Sequence, residues 1–128
     1  MATVLGPYSL DGTPEIPQRA GIYAITNPKQ KRVFVGSTAN LRTRFNDHRR
    51  WFRDMWRGIA REAQNGRIKS SLYCADAASY PPGDFMFEVI DMSPELEDEK
   101  ARLVRENELM VSHPQQAGLE TYNGQRAG

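Results

Sequence analysis

Short apolar runs rich in β-branched and aromatic residues set the first pattern along the chain. Gly21-Ile22-Tyr23-Ala24-Ile25-Thr26 and Arg32-Val33-Phe34-Val35-Gly36 are two such runs, parted by Asn27-Pro28-Lys29-Gln30-Lys31, which predicts a hairpin. After Gly36 the period changes. Leu41, Phe45, Phe52, Met55 or Trp56, and Ile59 recur at helical spacing, with a cap available between Ser37 and Asn40 and a stop at Asn65-Gly66. One long basic amphipathic helix is expected there. A weaker helical stretch follows from Ile68 to Ala78, Tyr80-Pro81-Pro82-Gly83 breaks it, and Phe85-Met86-Phe87-Glu88-Val89-Ile90 predicts a third strand. Ser93-Pro94-Glu95 then offers an N-cap, a first-turn proline and acids favoured by the helix dipole. The helix they open carries Leu96, Leu103, Val104, Met110 and Val111 and is expected to end near His113-Pro114.

Both ends of the chain are expected to lack regular structure. Pro7, Gly12, Pro14 and Pro17 punctuate residues 1–19 too often for a long element, and residues 115–128 are polar and glycine-rich apart from Tyr122. The predicted organisation is an irregular lead-in over 1–19, a single domain over 20–123 and a flexible tail over 124–128. The fold class that follows is α+β: a small three-stranded antiparallel sheet flanked by helices that cover its two faces.

Composition narrows the class of function. With 128 residues and 39% apolar positions there is core for one domain and no room for a second. No apolar run of about 18 residues is available to cross a bilayer, and the N-terminus lacks the basic start and apolar stretch of a secretory signal. A cytoplasmic location without a membrane partner is expected. Cys74 is the single cysteine and His48 and His113 the only histidines, so no zinc-ligand set can be assembled, whereas a cation held by carboxylates remains open. The formal net charge of +1 hides a strong asymmetry: residues 29–69 hold twelve basic side chains against three acidic ones, and residues 84–108 hold nine acidic against three basic. Separated charge of this kind presents a positive face to a polyanion.

Arg44 and His48 stand four residues apart on the long helix, so both project from one face. Spacing leaves two readings open: donors converging on one anion, or a surface arginine paired with an acid beside a histidine that lines the helix. On the last helix Glu106 and Glu108 both flank the expected apolar stripe, and Asn107 lies nearer its centre, where it would need a hydrogen-bond partner. Spacing does not choose between the two glutamates.

Gly21-Ile22-Tyr23, then Phe34-Val35-Gly36-Ser37, then Asn40-Leu41-Arg42-Thr43-Arg44-Phe45-Asn46-Asp47-His48 resemble the core of the GIY-YIG nuclease family. Glu106-Asn107-Glu108-Leu109-Met110, His113-Pro114 and Tyr122-Asn123 are similar to that family's glutamate helix and closing asparagine, so the resemblance runs from residue 21 to residue 123. It implies a GIY-YIG endonuclease-like fold and one-metal hydrolysis of DNA phosphodiesters. By this resemblance Glu106 rather than Glu108 holds the cation, Mg²⁺ or Mn²⁺ in its place, because one carboxylate plus waters and phosphate oxygens suits such an ion. Arg44 stabilises the phosphorane, Tyr23 activates or orients the attacking water, His48 assists it, and Asn123 braces the site. Gly21, Phe34 and Gly36 support the motif.

The chain departs from the family pattern at two places. Phe34 stands where relatives have a second tyrosine, which removes a hydroxyl. Between His48 and Ser70 the chain is long and carries Arg49, Arg50, Trp51, Phe52, Arg53, Trp56, Arg57 and Arg61, similar to a DNA-contact insertion in which one of the two tryptophans belongs to the core. Arg42, Arg49, Arg50, Arg53, Arg57, Arg61 and Lys69 are accordingly the expected DNA-backbone contacts. A single nuclease unit points to phage or mobile-element encoding, and reading a long site calls for a homodimer or a separate targeting partner. Two other readings stay open at this point: a catalytically impaired nucleic-acid-binding module on the same scaffold, and a protein-interaction domain whose basic helix meets an acidic partner.

Overall fold

The computed structural model describes residues 4–58, 63–64, 67–68 and 71–122. Its centre is strand β2 (Gly21–Asn27), buried on both faces because it lies between β3 (Arg32–Thr38) and β6 (Met86–Asp91), antiparallel to each. Two short strands extend this unit to a mixed five-stranded sheet, with β1 (Leu5–Ser9) against β6 and β7 (Glu120–Thr121) parallel to β3. The α+β class and the hairpin stand as expected. The three-stranded sheet is the middle of a larger one.

β1 escapes sequence reading because Gly6 and Pro7 sit inside it, and the ladder to β6 is irregular between Leu5 and Tyr8. An edge strand tolerates a proline there, since the missing N–H would face outward. The supposedly irregular lead-in is thus partly a strand, and past it Leu10, Ile16 and Ala20 are buried. β7 corrects the other end. The backbone N–H of Glu120 donates to Lys31 and that of Tyr122 to Val33, and the Tyr122 ring is buried, so the polar stretch after Pro114 closes the sheet.

Helix α1 (Leu41–Trp56) begins where Asn40 Oδ1 accepts from the backbone N–H of Thr43 at 3.1 Å, a cap inside the expected window. It ends well before Asn65-Gly66, which lie outside the described residues. Gly58 adopts φ +74° just past the last turn, and two short strands, β4 (Ala63–Gln64) and β5 (Arg67–Ile68), pair beyond it. Leu41, Phe45, Trp51, Phe52 and Met55 are buried beneath α1. Trp51 is the core tryptophan, 5% exposed and stacked on Tyr73, while Trp56 is 47% exposed. Tyr73 belongs to α2 (Ser71–Ser79), which packs beside α1 with Cys74 and Ala77 turned inward. A 3₁₀ turn at Pro82–Asp84 leads into β6.

The last helix departs most from expectation. Pro94–Glu97 form a 3₁₀ turn for which Ser93 gives no side-chain cap, and α3 (Glu99–Ala117) starts at Asp98, whose carboxylate accepts from Ala101 N–H at 2.9 Å. It runs through Pro114 and stops where Gly118 turns left-handed at φ +70°. Its apolar phase is reversed: Leu103, Val104 and Val111 are 47%, 60% and 64% exposed, Asn107 faces solvent, and Leu109, His113 and Pro114 are buried. Paired polar groups hold much of the buried side instead, with Arg105 Nε donating to Asp91 at 2.7 Å and Arg102 Nη1 to the Leu96 carbonyl at 3.0 Å. α3 thereby covers the sheet face formed by Ile22, Ala24, Val33, Val35 and Ile90, opposite the α1 and α2 side. Among the described residues no helix is long and apolar enough to cross a membrane.

Candidate active site

Strand alternation turns Tyr23 and Phe34 toward α1, while α3 lies across the opposite face. Where β3 ends and α1 begins, the two layers leave an opening of about 420 Å³. Tyr23, Phe34, Gly36, Arg44, His48 and Glu106 all line it, although they come from four elements and from both ends of the chain. Arg44 and His48 both line this opening, and Arg44 is not paired with a surface acid among the described residues.

The Tyr23 hydroxyl and His48 Nε2 share a buried hydrogen bond of 2.9 Å, whose direction follows the tautomer of the ring. The Tyr23 ring is stacked on Phe87 with centroids 5.2 Å apart, which fixes the phenol in direction. Gly36 is required by that ring. A Cβ built there would lie 2.6 Å from the Tyr23 hydroxyl and 2.7 Å from Cζ, so any side chain would displace the phenol. Phe34 contributes a ring without a hydroxyl, stacked on Tyr73 at 5.2 Å, and among the described residues Tyr23 is the only phenol in the lining.

Glu106 is half-buried, and its Oε1 accepts from the Ser37 hydroxyl at 2.7 Å. Glu108 instead lies exposed and ion-paired to Arg105 at 3.1 Å, away from the opening. Across from Glu106, the Arg44 guanidinium has no ion-pair or hydrogen-bond partner among the described residues. Arg44 is thus half-buried and unpaired among the described residues although Asp47, Glu99 and Glu106 line the same pocket, an arrangement that can accept an anion from outside.

Other expected site residues lie elsewhere. Gly21 packs at the start of β2, where an added Cβ would meet the Asp91 carbonyl and Leu41 at 2.8 Å each, so it seats the strand and does not reach the pocket. Arg42 Nε donates to the Ile16 carbonyl at 2.8 Å and Arg49 Nη1 to that of Gly12 at 3.0 Å. Both fasten the lead-in to α1. Arg50 pairs with Asp47 at 2.9 Å and Arg53 with Asp54 at 3.4 Å, and Arg57 is exposed at the end of α1. Arg61, Lys69 and Asn123 lie outside the described residues.

Sequence reading passed over Ser37, Asp47, Glu99 and Arg102, which also line the pocket. The last two stand seven and four residues before Glu106, on one face of α3, and the signal was there in that spacing. It was masked by the apolar stripe of Leu103, Val104 and Val111. Outside the pocket, the buried Asp76 carboxylate on α2 accepts from Tyr122 Oη at 2.6 Å and from Arg32 Nη1 at 3.0 Å. Burial, and then the Asp76 carboxylate, push the Tyr122 hydroxyl far above the usual phenol range.

Among the described residues no group of three or more histidine, cysteine, aspartate and glutamate side chains forms a cage for a metal ion. Glu106 alone fits a cation that keeps most of its water, with one carboxylate oxygen steadied by Ser37. No curated protein and no solved structure matches the chain. The family model of the GIY-YIG catalytic domain, however, matches residues 19–110, a span that includes every pocket residue named above. That span takes in most of the 128 residues and carries Tyr23, Arg44, His48 and Glu106 in one opening, and the chain belongs to the GIY-YIG family of nuclease-type domains.

Proposed function

We propose that this protein is a metal-dependent DNA endonuclease that hydrolyses a phosphodiester at the pocket between α1, β3 and α3. The observation that carries this reading is the unpaired Arg44 guanidinium facing the Glu106 carboxylate across one opening. Arg44 binds the scissile phosphate and, being permanently charged and planar, stabilises the extra negative charge of the phosphorane. Tyr23 holds the attacking water. With His48 Nε2 unprotonated, the phenol donates to it, and the phenol oxygen becomes the better acceptor for the proton of that water. Glu106, oriented by Ser37, holds Mg²⁺ or Mn²⁺, which when bound polarises the phosphate and stabilises the departing 3′-oxygen.

DNA is the partner this chemistry calls for, and a homodimer or a separate targeting protein would supply recognition of a long site. Arg42 and Arg49 fasten the lead-in, whereas Arg50 and Arg53, in exposed ion pairs, and the exposed Arg57 stay accessible to the DNA backbone. A plasmid-nicking assay with Mg²⁺ or Mn²⁺ tests the reading, with wild type beside Glu106→Gln. Metal-dependent cutting that the substitution abolishes is expected. Absence of cutting on supercoiled, linear and branched DNA, with binding retained, would instead favour a binding module in which Phe34 has cost the activity.

A further inference from the structure

We propose that Arg102 holds a second phosphate of the bound strand, adjacent to the one that reacts at Arg44. This inference rests on the nuclease reading above. The two guanidiniums line the same opening from different walls, Arg44 on α1 and Arg102 on α3, one helical turn before Glu106.

Arg102 is anchored but not neutralised. Its Nη1 donates to the Leu96 carbonyl at 3.0 Å, which ties the side chain to the 3₁₀ turn before α3, and no carboxylate pairs with it among the described residues. Acids are nonetheless close by, since Asp47, Glu99 and Glu106 line the same pocket. Asp47 is engaged by Arg50 and Glu106 by the Ser37 hydroxyl, so the fold spends other donors on these acids and keeps both pocket guanidiniums unpaired. One nitrogen on a carbonyl leaves Arg102 with Nε and Nη2 as a fork for a phosphate.

The electrostatics require such a group. A strand carrying one negative charge per nucleotide must enter an opening where, with Asp47 paired to Arg50 and a divalent cation on Glu106, Arg44 and that cation would face Glu99 and Glu106 with little positive excess unless Arg102 adds to it. The other arginines of α1 keep their charge but do not line the opening, and Arg42 and Arg49 are tied to lead-in carbonyls. Arg102 is the remaining cation in the lining among the described residues.

The test is DNA binding as a function of salt, measured for the full chain with a mixed-sequence duplex of about 20 base pairs, in a Glu106→Gln background so that nothing is cut. Adding Arg102→Gln should weaken binding roughly tenfold at about 0.1 M salt and lower the slope of log affinity against log salt by about 0.9. Adding Arg102→Lys, which keeps the charge, should retain the slope. An unchanged slope with Arg102→Gln overturns the inference, as does an equal fall of slope with Arg102→Lys, which would trace the effect to the lost tether on Leu96. Should Arg102→Gln fail to fold by circular dichroism, Arg102→Met, which keeps the apolar stem and removes the charge, is measured in its place by the same criterion. The two readings separate cleanly: wild type that cuts while Arg102→Gln keeps its slope rejects only the second phosphate contact. A slope that falls in a protein that never cuts rejects only the nuclease.

Discussion

Tyr23 shows how one side chain depends on the absence of another. Its hydroxyl reaches His48 only because position 36 has no Cβ, and Gly36→Ala would drive a methyl group into the phenol. Such a clash is relieved by moving the ring, so Gly36→Ala is expected to remain folded, lose cleavage by at least the factor seen for Tyr23→Phe, and bind DNA nearly as well. Tyr23→Phe itself removes the hydroxyl without changing the packing on Phe87. Its single-turnover cleavage rate at saturating metal should fall by on the order of 10²–10⁴, the usual contribution of a positioned base. Near-normal rates in Tyr23→Phe would transfer that role to His48 or to a metal-bound hydroxide. Phe34 sharpens the experiment, because among the described residues no second phenol lines the pocket to stand in for Tyr23.

At the scale of elements, α1 and α3 solve different problems. α1 has a strongly apolar side, and the two tryptophans on it are told apart by where the helix stops. Trp51 stacks on Tyr73 and meets Phe52 edge-on at 5.1 Å, so Trp51→Ala should cost about 3–5 kcal/mol in denaturant unfolding. Trp56, at the exposed end, should cost within about 0.5 kcal/mol when replaced by alanine. Equal losses for the two would contradict the boundary of α1. α3 buries a histidine, His113, whose pKa is lowered from 6.5 by burial, with Glu88 opposing the shift. The unfolded chain therefore takes up the proton at a higher pH than the folded one. This contribution to stability is complete above pH 6.5 and is lost as pH falls through the lowered value. Thermal melts between about pH 7.5 and 5 should show that decline, and His113→Leu should flatten it.

The whole molecule is closed by a contact between segments far apart in sequence. Asp76 on α2 binds Arg32 on β3 and Tyr122 after β7, and so joins the second helix, the sheet and the chain's return to the sheet edge. Tyr122→Phe removes one hydrogen bond to a charged acceptor and should cost roughly 1.5–3 kcal/mol. Asp76→Ala should cost more, about 3–5 kcal/mol, because it leaves Arg32 without its nearest carboxylate partner. Denaturant unfolding of the two variants checks the order, and a larger loss in Tyr122→Phe would show that the closing strand, not the carboxylate, carries the contact.

Local pattern was enough for β2, β3, β6, the Asn40 cap and the buried side of α1, because their apolar residues repeat with the period of the element that buries them. Tyr23, Arg44, His48 and Glu106 were singled out by the resemblance to the GIY-YIG motifs and not by spacing alone, which left Glu106 and Glu108 equivalent, and the fold brings the four to one opening. Strands β1 and β7 could not be read this way: one contains a proline, the other spans two residues, and both exist only because a ladder was already there to pair with. The phase of α3 accords with partners distant in sequence, Asp91 for Arg105 and Ser37 for Glu106, and with burial of Leu109, His113 and Pro114, while Leu103, Val104 and Val111 stay exposed. For the same reason the basic block did not announce its own division of labour. Charge can be counted along a chain, but whether an arginine holds a carbonyl, an aspartate or nothing depends on what the fold brings within three ångströms of it.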